Sequence, residues 1–202
     1  MINIYHVPLT RSVRAIWTCE ELGLDYTITP VDFSAEYRSS DEWRNINPVG
    51  KVPAMRDGDF LMFESGAMVQ YLLDKYGAGQ LQPPPGSEAH ALYLQWSWFA
   101  ESTFARPLGE MVNHAREFPG DNQIPEVLNE MANRAELCVN AVADALSDRQ
   151  FLLGDEFTAA DIMMGYSLML AHRLIPERVP ASIENYWNSL NEREGFEKAL
   201  QV

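Results

Sequence analysis

The stretch that decides the fold is Asn47-Pro48-Val49-Gly50-Lys51-Val52-Pro53, which is followed after a short hairpin by Glu64-Ser65. A proline cannot donate to a β ladder, so Pro53 must lie at a sheet edge or at the start of a strand. If the Val52–Pro53 peptide is cis, the backbone of Val52 turns outward and offers its N–H and C=O to a ligand. An extended peptide could then pair with that backbone as an added strand.

Glu64 and Ser65 stand where a strand is predicted to end and a helix to begin. The first turn of a helix has unpaired N–H groups and the positive end of the helix dipole, and both favour a bound carboxylate. The Ser65 hydroxyl can hydrogen-bond the same carboxylate, and Glu64 can receive an amino group beside it. Together with Val52, these residues predict a receptor for a zwitterionic peptide. Taken separately, each piece fits an ordinary turn or helix cap equally well.

Around this stretch, residues 1–80 alternate between strand-like and helix-like segments. The apolar patterns predict strands at 2–5, 26–33, 53–56 and 60–63, and helices at 10–22 and 65–76. Pro30 places the second strand at an edge, and Asp57-Gly58-Asp59 predicts a hairpin between the last two strands. The polar stretch that runs to Asn47 predicts no regular element.

Three consecutive prolines in Gln82-Pro83-Pro84-Pro85-Gly86 form a stiff connector, which places a domain boundary there. The predicted organisation is a first domain at 1–80, a linker at 81–86 and an all-helical domain at 87–202. Helices are expected at 87–116 and 123–146, after the capping box Thr158-Ala-Ala-Asp161, and near the end of the chain. In the first of these helices, Leu92, Trp96, Phe99 and Thr103 are predicted to point inward. Pro107 should kink or divide that helix.

The net charge of −14 argues against nucleic acid and anionic membranes as partners. No apolar run approaches the roughly 20 residues that span a bilayer, and the first residues lack the pattern of a signal peptide, so a cytoplasmic protein is expected. Cys19 and Cys138 form no CxxC or metal-ligand spacing, which favours two buried, inert thiols and no metal.

Several motifs resemble one family along the whole chain. NPVGKVPAM and FESGAMVQYLLDKYG resemble the glutathione-binding half of cytosolic glutathione S-transferases, as do the early Tyr-x-x-Pro-x-x-Arg-Ser-x-Arg segment, the proline linker and FTAADIMMG. The resemblance implies an α/β plus all-α fold, with an N-terminal thioredoxin-like domain (a mixed four-stranded sheet with helices) and a C-terminal α-helical bundle. It also implies a cytoplasmic, homodimeric detoxification enzyme that activates glutathione as a thiolate against small apolar electrophiles.

The family motifs assign roles to individual residues. They imply that Val52, in the pair with Pro53, binds the cysteinyl unit of glutathione through its backbone, and that Glu64 and Ser65 hold the γ-glutamyl end. Lys51 would approach the glycine carboxylate, although it fits a solvated surface lysine equally well. Positive potential would come from Arg11 or from Arg14, and a structural role for Arg14 is favoured.

The family keeps the residue that faces the thiol in the turn between the first strand and the first helix. This turn has no cysteine, which argues against the cysteine-based classes. Spacing from Arg14 places Thr10 at the position of the catalytic serine of the serine-type classes, with Ser12 as the second candidate and Tyr5 as the third. A hydroxyl that donates to the sulfur favours the thiolate, and lowering the thiol pKa from ~8.5 by about two units corresponds to roughly 2.7 kcal/mol. Thr10 or Ser12 can also cap the helix, which is compatible with that role.

In the family, the first long helix of the second half forms a wall of the apolar second-substrate site. The resemblance therefore implies pocket residues on this helix, and the candidates are Phe104, Met111, Arg106 and Trp98. Side activities as a glutathione-dependent peroxidase, reductase or dehalogenase fit the same chemistry. Two alternatives remain open: a binding or regulatory protein of this fold without turnover, and a thiol–disulfide oxidoreductase, which the missing turn cysteines disfavour.

Overall fold

The computed structural model describes residues 1–202, which divide into a first unit of residues 1–81 with 191–202 and a second unit of residues 82–190. The first unit contains β1 (Ile2–His6), α1 (Ser12–Glu21), β2 (Tyr26–Pro30), α2 (Ala35–Ser39), α3 (Asp41–Arg44), β3 (Ala54–Asp57), β4 (Phe60–Phe63) and α4 (Ser65–Tyr76). The sheet order is β2-β1-β3-β4, with β1 and β2 parallel and the other pairs antiparallel. The predicted thioredoxin-like domain with a mixed four-stranded sheet is confirmed, and β2 lies at an edge.

The stretch before Asn47 is where the predicted elements were wrong, because it holds α2 and α3. Both helices have serine caps: the Ser34 side chain accepts from the Tyr37 N–H, and the Ser40 side chain accepts from the Trp43 N–H. Trp43 is fully buried and anchors the segment. Helices of four and five residues have too few turns to show an apolar period in the sequence. Their serine caps are therefore the only sequence signal that could have predicted them.

The second unit is all helical, with α5 (Glu88–Trp98), α6 (Ala105–Glu117), α7 (Pro125–Ala145), α8 (Ala159–Leu174) and α9 (Glu184–Asn191), the last ending at the boundary residue Asn191. A π-helical segment, Phe99–Phe104, separates α5 from α6. Pro107 has no N–H for the carbonyl of Thr103, and the Cys138 thiol donates to that carbonyl instead, at 3.7 Å. No helix in the chain is both long and apolar enough to cross a membrane.

Two of the residues predicted to point inward from this helix do not. Leu92 is 46% exposed and Thr103 is also exposed. The reason is that α5 is solvated around most of its circumference, with only Tyr93 buried, so its apolar spacing does not mark a core face. The π-helical segment then shifts the face that Thr103 presents.

The capping box at the start of α8 is present as predicted. Asp161 is fully buried and accepts four hydrogen bonds: from the backbone N–H of Thr158 (2.8 Å) and its hydroxyl (3.0 Å), the N–H of Leu152 (3.0 Å) and the hydroxyl of Tyr186 (2.8 Å). One carboxylate thus joins the loop before α8, the start of α8, and α9.

The last helix, α10 (Glu194–Gln201), belongs to the first unit, whereas the sequence grouped residues 87–202 as one helical domain. Phe196 packs on Trp17 of α1, with 4.3 Å between ring centroids. Arg193 pairs with Glu21, and Lys198 lies 3.3 Å from a carboxylate oxygen of Glu20. These contacts join residues almost the whole chain apart, so no local pattern indicates them.

Candidate functional site

Three segments that lie apart in the sequence leave the sheet at the same end. Ala54, at the start of β3, pairs with Tyr5 of β1 on one side and with Phe63 of β4 on the other. The turn after β1, the Val52–Pro53 pair before β3 and Glu64 after β4 are therefore neighbours around this end of the sheet. The helices that begin at Ser12 and Ser65 also start there.

The backbone of Val52 is available to a ligand. The Val52–Pro53 peptide is cis, and neither the N–H nor the C=O of Val52 makes a hydrogen bond within the chain. The Asn47 side chain holds the loop around it: its amide donates to the carbonyl of Pro53 (3.3 Å) and its oxygen accepts from the N–H of Val49 (3.2 Å). Lys51 is exposed and has no ion-pair partner. A free N–H and C=O on one residue are what an added peptide strand requires.

Glu64 and Ser65 begin α4 in different surroundings. Glu64 is the N-cap residue, with φ 75° and ψ 106°, a conformation that side chains with a Cβ rarely adopt. Its carboxylate is exposed and has no hydrogen-bond or ion-pair partner in the chain. Ser65 is buried, and its oxygen accepts from Nη1 of the fully buried Arg14 at 3.2 Å. The Ser65 hydroxyl proton therefore stays available for a ligand, and Arg14 fixes the position of the oxygen.

The turn after β1 brings two candidate hydroxyls into contact. Thr10 is half-buried, and its hydroxyl donates to the carbonyl of Val7 (2.7 Å) and lies 2.8 Å from that of Ser12. Ser12 is fully buried and also reaches the Val7 carbonyl, at 3.2 Å. Arg11 is the N-cap residue of α1, and no side-chain hydrogen bond caps that helix. The N–H groups of Val13 and Arg14 instead donate to the backbone carbonyls of Thr10 and Arg11, at 3.1 and 3.3 Å, and the start of α1 offers the site the positive end of the helix dipole.

Ser12 also contacts His6, which no sequence motif marks as a site residue. The Ser12 oxygen lies 2.8 Å from Nδ1 of His6, and Nε2 of His6 lies 2.8 Å from the backbone oxygen of Val202. His6 is buried; burial lowers its pKa, and the hydrogen bond to Val202 opposes that change. One sequence signal could have pointed to His6: it is a polar residue at an inward position of β1, in register with the buried Ile2 and Ile4.

Tyr5 lies on the opposite face of the sheet from His6, because side chains alternate along a strand. Its hydroxyl accepts from Nε of Arg56 at 3.1 Å, and its ring meets Trp43 edge-on at 5.7 Å. The Thr10–Ser12 pair is on the His6 side. Among the three catalytic candidates, Thr10 and Ser12 lie together and Tyr5 lies apart from them.

The second unit has a groove of about 810 Å³ between α6 and α7, whose lining includes Phe99, Arg106, His114, Met131 and Cys138. Of the four second-substrate candidates, only Arg106 lines this groove. Phe104 is fully buried, Met111 is half-buried and Trp98 is 67% exposed. Burial raises the pKa of the Cys138 thiol, and it raises that of Cys19 to about 12. Both cysteines are thus buried as protonated thiols.

Comparison with known proteins agrees with this geometry. Residues 2–74 match the model of the glutathione S-transferase N-terminal domain. Glutathione S-transferase PM239X14 of Arabidopsis thaliana is 31% identical over 84% of this chain and 82% of its own length. Glutathione S-transferase 3 of Zea mays is 27% identical over 98% of this chain and 93% of its own.

Among solved structures, a glutathione transferase family member from Pseudomonas fluorescens with two glutathione bound superimposes with a TM-score of 0.88 at 25% identity. The superposition covers 100% of this chain and 92% of that one. The similarity extends over both units and includes a relative above 30% identity across most of its length. This chain belongs to the glutathione S-transferase family.

Proposed function

We propose that this protein is a glutathione transferase that binds glutathione in its first unit and activates the thiol for attack on small apolar electrophiles. The observation that carries the proposal is the meeting of three kinds of group at one end of the sheet. They are the free backbone of Val52, the carboxylate and hydroxyl of Glu64 and Ser65, and the hydroxyl of Thr10. Each suits one part of the tripeptide: its central amide, its γ-glutamyl end and its thiol.

The binding roles follow from the charge and hydrogen-bonding capacity of each residue. The Val52 N–H and C=O pair with the cysteinyl unit. The Ser65 hydroxyl and the first N–H groups of α4 donate to the γ-glutamyl carboxylate, while Glu64 accepts from its amino group. Lys51 approaches the glycine carboxylate, and Arg11 adds positive potential beside the thiol.

Thr10 is the hydroxyl that we assign to the sulfur. It is half-buried, whereas Ser12 is fully buried behind it and Tyr5 is on the other face of the sheet. A threonine in the place of the serine of the serine-type classes supplies the same O–H donor. Together with the N-terminus of α1, this donor favours the thiolate over the thiol.

Calorimetric titration with glutathione, combined with the ultraviolet absorbance of the bound thiolate, tests the proposal. We expect Ser65→Ala to weaken binding about tenfold or more, because the hydrogen bond to the carboxylate is lost. Thr10→Val should bind glutathione but lose the thiolate absorbance. Thr27→Val, an exposed threonine on β2, is the matched control and should match wild type in both measurements.

The outcomes separate the alternatives. If wild type binds no glutathione at millimolar concentration, the proposed function is wrong. If it binds glutathione but forms no thiolate and turns over no electrophile, the chain is a binding or regulatory protein of this family instead.

For the second substrate, we propose that the π-helical segment and α6 supply apolar contacts, with Arg106 beside them as a polar contact. This assignment is supported by the exposed Arg106 and the half-buried Met111. Phe104 is buried in the core of the second unit, so its part would be to hold the π-helical segment in place rather than to contact the substrate. Comparing KM for an aryl halide between wild type and Arg106→Ala tests the assignment, and an unchanged KM removes Arg106 from it.

We also propose a cytoplasmic homodimer with a role in detoxification. Support for the dimer comes from α5, which carries the exposed apolar side chains Leu94 and Trp98 one turn apart. Sedimentation of wild type should give twice the chain mass, and Trp98→Glu should shift the equilibrium toward the monomer. A monomeric wild type at micromolar concentration contradicts this part of the proposal.

A further inference from the structure

A line of hydrogen bonds runs from the candidate thiol site into the core of the first unit. The hydroxyl oxygens of Thr10 and Ser12 are 2.8 Å apart, and the Ser12 oxygen is 2.8 Å from Nδ1 of His6. The other ring nitrogen of His6 is 2.8 Å from the backbone oxygen of Val202. This line, Thr10–Ser12–His6, begins at a half-buried hydroxyl and ends on a buried imidazole.

Counting protons fixes the direction of the two hydrogen bonds that His6 makes. The backbone oxygen of Val202 can only accept, so Nε2 of His6 carries a hydrogen. In a neutral imidazole the other nitrogen, Nδ1, is then an acceptor, and the single proton of Ser12 points at it. In the unliganded chain the Thr10 hydroxyl donates to the Val7 carbonyl at 2.7 Å, and the Ser12 oxygen, 2.8 Å away, is a second acceptor for the same proton. When the Thr10 proton turns from Val7 to Ser12, the line passes a proton inward.

We infer that His6, acting through Ser12 and Thr10, takes up the proton that leaves the thiol of glutathione. The inference rests on the proposed function. The S–H proton moves to the Thr10 oxygen as the Thr10 proton moves to Ser12 and the Ser12 proton moves to Nδ1. The S–H bonding pair stays on sulfur, and the lone pair of Nδ1 forms the new N–H bond. The products are a thiolate and an imidazolium.

After the transfer, every hydrogen bond in the line points outward. The imidazolium donates to Ser12, Ser12 donates to Thr10, and Thr10 donates to the thiolate, while Nε2–H remains on the Val202 oxygen. The hydroxyl that stabilises the thiolate thus receives its orientation from His6. His6 does not touch glutathione and is a positioning residue that stores the proton.

The surroundings of His6 fit this role. Burial lowers its pKa, which favours the neutral imidazole in the unliganded protein. The ionisable groups on the elements packed around it are Tyr26 on β2, Arg56 and Asp57 on β3, Arg14, Cys19, Glu20 and Glu21 on α1, and Glu194, Glu197 and Lys198 on α10. None of them shifts the pKa of His6, which depends on burial and on Val202. Glu20 and Glu21 are already paired with Lys198 and Arg193.

Nitrogen NMR of wild-type protein labelled with ¹⁵N at histidine tests the inference directly. At pH 7, glutathione should convert the His6 signals from the neutral to the imidazolium pattern. S-methylglutathione, which has no thiol proton, should leave His6 neutral. If His6 stays neutral while the thiolate absorbance of bound glutathione is present, the inference is wrong.

Two variants interrupt the line at different points. His6→Asn and Ser12→Ala should still bind glutathione, but their thiolate titrations should move up by about one pH unit, which is about tenfold less thiolate below the midpoint. The double variant should move no further, because both changes break the same line. His90→Asn, a half-buried histidine of the second unit that contacts the Pro83 carbonyl, is the matched control.

The results distinguish this inference from the proposed function. Variants that bind glutathione and keep the wild-type thiolate titration overturn the relay and leave the transferase proposal standing. A wild type that binds no glutathione overturns the transferase proposal itself. If either variant fails to fold, the NMR comparison on wild type decides.

Discussion

Replacing Glu64 by glycine should stabilise the unliganded protein relative to alanine at the same position, while both changes weaken glutathione binding. The reason lies in the backbone of this residue, which has φ 75° and ψ 106°. Glycine adopts positive φ readily, whereas a residue with a Cβ is strained there. The exposed carboxylate of Glu64 makes no contact in the unliganded chain, so its removal breaks no bond.

The expected size follows from three contributions. A backbone outlier of this kind costs about 1–3 kcal/mol, and glycine removes that cost. Glycine also gives the unfolded chain more freedom, which subtracts about 0.4–1 kcal/mol. Both variants lose the favourable placement of a carboxylate at a helix N-terminus, about 0.3–1 kcal/mol, so this loss cancels between them. The glycine variant should therefore exceed the alanine variant by about 1 kcal/mol.

Urea unfolding of wild type, Glu64→Gly and Glu64→Ala without glutathione measures this difference, and a shift in Tm of about 2–4 °C should accompany it. Calorimetry should show both variants binding glutathione about 10- to 100-fold more weakly, because a hydrogen bond between charged groups is lost. A glycine variant no more stable than the alanine variant refutes the strain argument. Full affinity in the alanine variant refutes the role of Glu64 in binding.

Three further predictions concern residues away from the ligand. Asp161→Ala leaves buried donors without an acceptor and should lower the free energy of unfolding in urea by about 3–5 kcal/mol; a loss below 1 kcal/mol contradicts this role. Hydrogen bonds from Lys75 and two tyrosines hold the pKa of Asp57 well below its usual range, so this carboxylate stabilises the native state above about pH 4 and loses that effect as pH falls toward the lowered pKa. In Asp57→Asn, the free energy of unfolding should therefore fall less steeply as the pH is lowered below about 4 than it does in wild type. The same dependence on pH in both proteins contradicts this role of Asp57. A Cβ at Gly50, where φ is 64°, would lie 2.5 Å from the Arg38 carbonyl oxygen, so Gly50→Ala should cost more than about 1 kcal/mol in thermal or urea unfolding.

The elements that the sequence predicted best have strong local patterns. The predicted helix at 65–76 has the bounds of α4, because its apolar residues recur at helical spacing and Gly77 follows its last turn. The hairpin of β3 and β4 follows from two apolar runs around Asp57-Gly58-Asp59. The capping box at Thr158 needs only four consecutive residues to be recognised. In each case the deciding interaction lies within a few positions of the chain.

The features that the sequence did not predict depend on distant contacts. The proposed role of His6 depends on its hydrogen bonds to Ser12 and to Val202, and Val202 is 196 positions away in the sequence. The exposure of Leu92 depends on which neighbours cover α5, and its own spacing cannot report that. The strained backbone of Glu64 likewise has no signature in its residue type, since glutamate is an ordinary choice before a helix.

The packing of α10 on α1 has a consequence for synthesis. Trp17 emerges from the ribosome early, but its partner Phe196 is made only after the whole second unit. The second unit has all of its own residues before the first unit does, so it can complete its contacts first although it comes later in the sequence. Until α10 has been synthesised, the face of α1 that α10 covers is exposed to solvent. A chain stalled on the ribosome after residue 190 would therefore expose that apolar face to chaperones.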